Sequence, residues 1–297
     1  MLDFATREQR VLFLQPDATF QVGTSTISPT PLQGTITFLR DANGRPTALE
    51  YVPADGSGAR KAGRVYPTTH QDVVFHNGDV ELHGQLSIPA GHGPHPAVVL
   101  VHGSGAATRN IGFFTSLYER LGIATLSFDK RGAGESTGNW KSAPFTDLAG
   151  DVLAGVALLK ARADIDGRRI GLDGSSQGGW VGSIAASQSP DVAWLQVRVG
   201  SGVSVAENML YEDIAAMRDL GLDAAQTAEV VAFDRELYTL AMSGGARSEA
   251  DAIAAKVIGK PWFRTLYPDG FKTSDNGFAW LRANGALESV DYLRKVK

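Results

Sequence analysis

Four short apolar runs alternate with segments of helical periodicity in the middle of this chain, and this alternation restricts the fold more than any other feature. The runs lie at 97–101, 123–128, 170–172 and 194–199, with helical patterns at 113–121 and 147–163. Continuous apolar runs are typical of strands buried on both faces of a parallel sheet, and the helices between such strands form right-handed crossovers. The sequence therefore predicts an α/β fold with a mostly parallel sheet.

The third run leads directly into Gly174-Ser175-Ser176-Gln177-Gly178, and the residues that follow favour a helix. A strand, a tight turn and a helix around Gly-x-Ser-x-Gly hold the central serine in a strained turn, where the flanking glycines let neighbouring backbone approach closely. The N-terminus of the helix directs free N–H groups at the serine oxygen. The alternative is a structural turn without a catalytic role that merely needs small residues, and the flanking strand and helix disfavour it. We predict that Ser176 is a catalytic nucleophile supported by Gly174 and Gly178.

A second loop of small residues, His102-Gly103-Ser104-Gly105, follows the first apolar run. At the end of a sheet strand, such a loop can direct backbone N–H groups at an oxygen beside the serine. We therefore predict an oxyanion hole made of the backbone N–H groups of Ser104 and Gln177, with His102 and Gly103 supporting the loop. His102 is also a candidate general base, but its place in the loop favours a ring that braces the backbone.

These two motifs occur together with a third, the string Phe128-Asp129-Lys130-Arg131-Gly132-Ala133-Gly134-Glu135-Ser136. In this order the three resemble the α/β-hydrolase superfamily, and more narrowly the bacterial serine hydrolases related to prolyl-oligopeptidase and dienelactone-hydrolase-like esterases. The resemblance covers about residues 72–200, and in that family the third string is a structural loop near the site. It implies hydrolysis of a carboxylic ester, thioester or amide through an acyl-serine intermediate. Ser176 would then be activated by a histidine that an acidic residue orients.

The chain departs from this family in its last third. The family order is nucleophile, acid and then histidine, whereas all six histidines of this chain (70, 76, 83, 92, 95 and 102) precede Ser176. No buried apolar run that could form a seventh strand follows the helical segments, so we expect a C-terminally truncated chain whose core lacks its last strands. The triad acid and histidine are then not present in this chain. Two interpretations stay open, a fragment completed by a second polypeptide or a longer parent, and a degenerate homologue.

The residues on either side of the α/β pattern predict two further regions. Residues 1–68 are expected to form a β-rich domain, with a hairpin around Asn43-Gly44 and with Pro46 marking an edge position on its second strand. A hairpin around Asn77-Gly78 opens the core, which we place at 69–203. Residues 204–297 favour helices at 206–220, 224–242 and 248–258 and predict a helical lid, whose aromatic residues fit a lid interior better than a substrate wall.

Composition and charge exclude several kinds of function. A formal net charge of −4 argues against nucleic-acid and acidic-membrane partners, and no apolar run reaches the roughly 18 residues of a membrane span. The chain has no cysteine and no His-x-His or His-Glu-x-x-His pattern, so neither a metal nor another cofactor is expected. The cellular compartment stays open. The sequence predicts an esterase-type hydrolase of a small-molecule ester, with an acyltransferase and a non-catalytic binding protein as alternatives.

Overall fold

The computed structural model describes residues 2–3, 8–9, 11–23, 28–63, 68–200, 202–269, 271 and 275–296. The chain divides into two compact units, residues 1–67 and residues 68–297. The predicted domains 1–68, 69–203 and 204–297 remain a prediction.

The first unit contains β-strands in its described residues. They are β1 (Leu2–Asp3), β2 (Glu8–Gln9), β3 (Leu12–Leu14), β4 (Phe20–Gly23), β5 (Leu32–Arg40), β6 (Pro46–Pro53) and β7 (Arg60–Gly63). β1 pairs with β2, and β3 to β7 form an antiparallel sheet in chain order. Val22 and Ile36 are its most buried apolar side chains. The prediction of a β-rich N-terminal region is confirmed.

Pro46 begins β6, and the prediction that it marks an edge strand is wrong. β6 lies between β5 and β7 in the sheet. Among the described residues its ladder with β7 runs from Ala48, which pairs with Gly63, to Tyr51, which pairs with Arg60. Pro46 has no N–H to donate, and it is the first residue of the strand, where a sheet tolerates proline.

The second unit is built on a six-stranded mixed sheet. Its strands are β8 (Thr68–Asn77), β9 (Val80–Pro89), β10 (His95–Val101), β11 (Ala124–Phe128), β12 (Ile165–Ser175) and β13 (Trp194–Arg198). They lie in the order β13-β12-β10-β11-β9-β8. The ladders among β10, β11, β12 and β13 are parallel, whereas β9 pairs antiparallel with both of its neighbours. The predicted α/β fold with a mostly parallel sheet is confirmed.

The helices of the second unit follow β10, β11, β12 and β13 in the chain. They are α1 (Gly112–Arg120), α2 (Phe145–Lys160), α3 (Gln177–Gln188), α4 (Val205–Asp219), α5 (Ala224–Met242), α6 (Arg247–Ala255), α7 (Pro261–Leu266), α8 (Asp275–Asn284) and α9 (Ser289–Leu293). α2 begins earlier than the predicted residue 147. Its first N–H group, that of Phe145, donates to Oδ1 of the fully buried Asn284 at 2.7 Å. A partner 139 positions away in the chain thus completes this helix terminus.

The helices after β13 build an apolar core of their own. Trp262, Phe263 and Phe278 are buried in it together with Phe233 of α5. These aromatic side chains therefore pack against one another, as expected for an interior rather than a substrate wall. Among the described residues from 205 onwards the structure has no strand, and an isolated bridge joins Ser204 to Glu288. In the described part of the chain, no helix combines the length and the apolar character of a membrane span.

Candidate active site

Ser176 occupies a strained turn between β12 and α3. Its backbone has φ 53° and ψ −119°, in a region that residues with a Cβ rarely adopt. A Cβ on Gly174 would collide with the carbonyl group of Gly178. A Cβ on Gly178 would lie only 2.5 Å from the carbonyl oxygen of Val101. Both glycines are therefore required by close backbone approaches, which hold Ser176 at the N-terminus of α3.

The backbone N–H groups of Gln177 and Ser104 have no acceptor within the described residues. Gln177 is the first residue of α3, and so its N–H has no partner inside the helix. Ser104 lies in the loop after β10. The N–H of Ser176 itself donates to the carbonyl oxygen of Arg198 at 2.9 Å, which ties the turn to β13. Unpaired N–H groups at a helix N-terminus favour a negatively charged oxygen.

The loop after β10 lies against the turn that holds Ser176. A Cβ placed on Gly103 would be 3.4 Å from the carbonyl oxygen of Ser175 and 3.5 Å from Cβ of Ser176. The structure therefore brings the two predicted motifs together. The roles predicted for Ser104, Gln177 and Ser176 stay predictions.

The surroundings of His102 do not fit the role of a general base. Its ring packs edge-on against Phe128, with centroids 4.7 Å apart, and it is hydrogen-bonded to the backbone of Phe128. Burial and the nearby Lys130 ammonium lower the pKa of His102 to about 4. Its Nε2 atom is buried and has no hydrogen-bond partner in the described part of the protein. The supporting role predicted for His102 stays a prediction, and these contacts are compatible with it.

None of the described histidines, His102 included, is hydrogen-bonded to Ser176. His70 bonds to the hydroxyl group of Ser87 at 2.8 Å, and His83 bonds to Glu81 at 2.9 Å. The Ser176 hydroxyl group has no hydrogen bond within the described residues. A complete Ser-His-acid triad is therefore not assembled among the residues that the structure describes.

Sequence reasoning missed Lys130, which connects the two motifs. Its Nζ donates to the carbonyl oxygen of Gly103 at 2.8 Å, to that of Gly105 at 3.4 Å and to Oε1 of Gln177 at 2.6 Å. Only 4% of Lys130 is exposed, and this burial lowers its pKa to about 8. The sequence signal was present, because Lys130 occupies the variable position of the Asp-x-Arg-Gly string, which was assigned a structural role as a whole.

The remaining members of that string are structural, as the resemblance implies. Asp129 accepts the backbone N–H of Arg109 at 2.8 Å and that of Glu135 at 2.9 Å. Arg131 forms a bidentate pair with the buried Asp151 of α2, at 2.6 and 2.7 Å. These contacts fix the position of Lys130 from both sides.

A partly buried ion pair joins β12 to β13 near the turn in the chain. Asp173 of β12 is 1% exposed and accepts from Nε of Arg198 at 2.7 Å and from the hydroxyl group of Tyr118 at 2.9 Å. Burial and the Asp173 charge raise the pKa of Tyr118, so that its hydroxyl group remains a donor. The Arg198 guanidinium also stacks on Phe114 of α1, 3.6 Å from the ring centroid. This cluster joins β12, β13 and α1, with Asp173 three residues before Ser176 in the chain.

Metal chemistry has no candidate site in the described part of the chain. The described histidine and carboxylate side chains include no cluster of three or more that could hold a metal ion.

Comparison with known proteins gives relatives that cover part of this chain. It shares 33% identity over 106 residues with an uncharacterized 31.7 kDa protein of the traX-finO intergenic region in Escherichia coli, which is 35% of this chain and 37% of that protein. It shares 31% identity over 149 residues with esterase EstD of Thermotoga maritima, 48% of this chain and 35% of EstD. The matches thus span about a third of the length of these curated relatives.

Solved structures of similar fold include an esterase of Pyrococcus furiosus, with a TM-score of 0.44 and 21% identity, over 54% of this chain and 60% of that chain. The model of the family described as serine aminopeptidase, S33, matches residues 92–253, which is more than half of the chain. The matched range contains the loop after β10, the turn around Ser176 and the first helices beyond β13. The chain belongs to the serine aminopeptidase S33 family of α/β-hydrolases.

Proposed function

We propose that this protein is a serine esterase in which Ser176 is the nucleophile. The observation that carries the proposal is the backbone of Ser176, strained at φ 53° between β12 and α3, with the unpaired N–H groups of Ser104 and Gln177 beside it. Strained turns persist where function requires them. The similarity to esterase EstD supports an ester as the substrate class.

In the proposed reaction, the Ser176 oxygen attacks the carbonyl carbon of a carboxylic ester, and its proton passes to a general base. The carbonyl oxygen becomes an oxyanion that accepts from the N–H groups of Ser104 and Gln177. The carbon–oxygen bond to the alcohol then breaks, and the departing alkoxide takes up the proton. Water repeats the same steps on the acyl-serine and releases the acid. A thioester or an amide would follow the same steps with a thiol or an amine as the leaving group.

We further propose that the histidine and the acid of this mechanism come from residues outside the printed sequence. All six histidines precede Ser176, and none of those described is hydrogen-bonded to it. A second polypeptide or a longer form of the chain would supply them. Without a base, the residual acceleration of a serine hydrolase is roughly 10³- to 10⁴-fold over water, from the oxyanion hole and substrate binding.

Labelling with a fluorophosphonate, followed by intact mass spectrometry, tests both parts of this proposal. We expect one slow adduct per molecule, and none on the Ser176→Ala variant. Ser187→Ala is the matched control on the same helix, because the Ser187 hydroxyl group donates within α3 at 2.7 Å. Labelling of Ser176→Ala at the wild-type rate would refute the role of Ser176 as the nucleophile. Fast labelling of the wild-type chain alone would refute the proposal that this chain lacks the general base.

A non-catalytic binding protein is the second candidate, favoured by the Ser176 hydroxyl group that has no partner among the described residues. Such a protein would bind an ester or its acid equally well as the wild type and as the Ser176→Ala variant, and no covalent adduct would form. Calorimetric titration of these two proteins with p-nitrophenyl butyrate and butyrate separates this candidate from the esterase.

A further inference from the structure

Lys130 holds a buried positive charge that the proposed ester chemistry does not use. It follows β11, and only 4% of the residue is exposed. Its hydrogen-bond acceptors are two carbonyl oxygens and one amide oxygen, all of them neutral. Within the described residues it forms no ion pair with a carboxylate. Buried lysines normally occur paired, so an unpaired one in the fold interior calls for a function.

The acceptors of Lys130 belong to the same groups that carry the proposed oxyanion hole. The carbonyl oxygen of Gly103 and the N–H of Ser104 are the two ends of one peptide unit. In a planar trans peptide these two bonds point in opposite directions. An ammonium group held at 2.8 Å on the oxygen side therefore fixes the plane and leaves the Ser104 N–H pointing away from it. The bond to Oε1 of Gln177 holds the side chain of the other donor residue against the same ammonium group, and so ties the loop after β10 to the start of α3.

We propose that Lys130 is a positioning residue of the oxyanion hole. Its ammonium group holds the Gly103–Ser104 peptide and the Gln177 side chain, so that the N–H groups of Ser104 and Gln177 face the oxygen on which negative charge develops. The positive charge also polarises the Gly103–Ser104 peptide and strengthens its N–H as a donor. This inference rests on the proposed esterase function.

The Lys130 ammonium group loses its proton near the upper end of the physiological pH range, because of its surroundings. Burial lowers its pKa to about 8, and the ring of Trp140 lies 5.7 Å from Nζ. The other charged or titratable groups around it are His102 on the loop after β10, Asp129 and Arg131 on its own segment, and Asp151 on α2. Because Lys130 is an ammonium ion only below its pKa, the brace is complete at neutral pH and is lost above about pH 8.

The first test uses the resting protein and requires no turnover. We would follow the Ser104 and Gln177 amide resonances by ¹⁵N NMR from pH 6.5 to pH 10, together with ¹³Cε-labelled lysine. The Lys130 signal is identified in the wild type as the lysine signal with a midpoint near pH 8 instead of about 10.4, and a folded Lys130→Met variant lacks it. We expect both amides to shift with the same midpoint as the Lys130 signal, near pH 8, and to lose that transition in the variant. Amides that do not follow Lys130 would overturn the inference.

The second test measures acylation by p-nitrophenyl butyrate. In the Lys130→Met variant we expect the acylation rate constant to fall about 10- to 100-fold, short of the loss of a whole oxyanion donor, with the apparent KM within about threefold. The acylation rate constant of the wild type should fall above about pH 8, and that of the Lys130→Met variant should not show this fall. Lys141→Met is the control, because Lys141 is exposed on the loop beside Trp140. An unchanged rate constant in a folded Lys130→Met variant would overturn the inference.

These tests separate a failure of this inference from a failure of the esterase proposal. If Lys130→Met does not fold, the wild-type NMR titration still decides whether the Ser104 amide follows Lys130. If Ser176→Ala is acylated as fast as the wild type, the esterase proposal fails, and the assignment of Lys130 to an oxyanion hole fails with it. If Ser176→Ala is inert while the Ser104 amide ignores Lys130, the esterase stands and this inference alone is overturned.

Discussion

The burial of Asp234 on α5 predicts that the free energy of unfolding depends on pH. Only 7% of this residue is exposed, and burial together with the neighbouring Asp213 of α4 raises its pKa from 3.8 to about 7. Tyr238 and Tyr267 lie in the same cluster, and the Tyr238 hydroxyl group donates to Asp213 at 2.9 Å. Asp234 is therefore protonated in the fold at a pH at which the unfolded chain has already ionised it.

The magnitude follows from the difference between the two pKa values. A raised carboxyl pKa means that the folded state binds more protons than the unfolded state between about pH 4 and pH 7. Stability from Asp234 is thus complete below pH 4 and is lost as the pH rises to 7. From pH 5 to pH 7 the loss is about 2 kcal/mol, at 1.36 kcal/mol per pH unit and with the folded carboxyl group half ionised at pH 7. A side-chain amide does not titrate, so the Asp234→Asn variant should gain about 2 kcal/mol relative to the wild type over this range.

Urea unfolding at pH 5, 6, 7 and 8, followed by tryptophan fluorescence, measures this difference. Trp262 is buried in the same helical core and reports on its unfolding. Asp251→Asn is the control, because Asp251 is an exposed carboxylate on α6. If the difference in the free energy of unfolding between Asp234→Asn and the wild type stays constant from pH 5 to pH 8, burial does not hold the Asp234 carboxyl group protonated.

Two further substitutions test the packing around the site. Asp151→Asn removes the carboxylate that pairs bidentately with the buried Arg131, and we expect the free energy of unfolding in urea to fall by about 3–5 kcal/mol. A loss below about 1 kcal/mol would contradict a buried pair. Gly178→Ala places a Cβ 2.5 Å from the carbonyl oxygen of Val101, so phosphonate labelling should be lost, whereas Gly259→Ala, at a position with open space, should label normally. Equal labelling of the two variants would contradict the close approach.

The strands and the turn around Ser176 could be predicted because their signals are local. Buried strands are continuous apolar runs, and Gly174 is required by a backbone contact with Gly178 inside the turn itself. β7 could not be predicted, since Arg60–Gly63 has no apolar alternation and is a strand only through its pairing with β6. Without β7, the strand β6 would be the edge of the sheet, and this is why the sequence predicts an edge position for Pro46.

The candidate site divides in the same way. Ser176, Ser104 and Gln177 could be proposed from short motifs, because each lies at the end of a recognisable strand. The bracing by Lys130 could not, because its acceptors come from two separate loops and become neighbours only in the folded chain. The start of α2 at Phe145 depends in the same way on the distant Asn284. Contacts between distant segments carry no periodic signal in the sequence.

The measurement that tests most directly whether Ser176 is a nucleophile is peptide mapping of the acyl-enzyme. The chain is incubated with p-nitrophenyl acetate, quenched in acid and digested with trypsin, which releases residues 170–198 as one peptide. Deacylation needs the same base as acylation, so a chain without one should retain the acyl group. We predict a single hydroxylamine-labile acetyl ester, located on Ser176 by fragmentation and absent from the Ser176→Ala variant. A peptide that stays unmodified, or an acetyl group that persists in the variant, would contradict the proposed nucleophile.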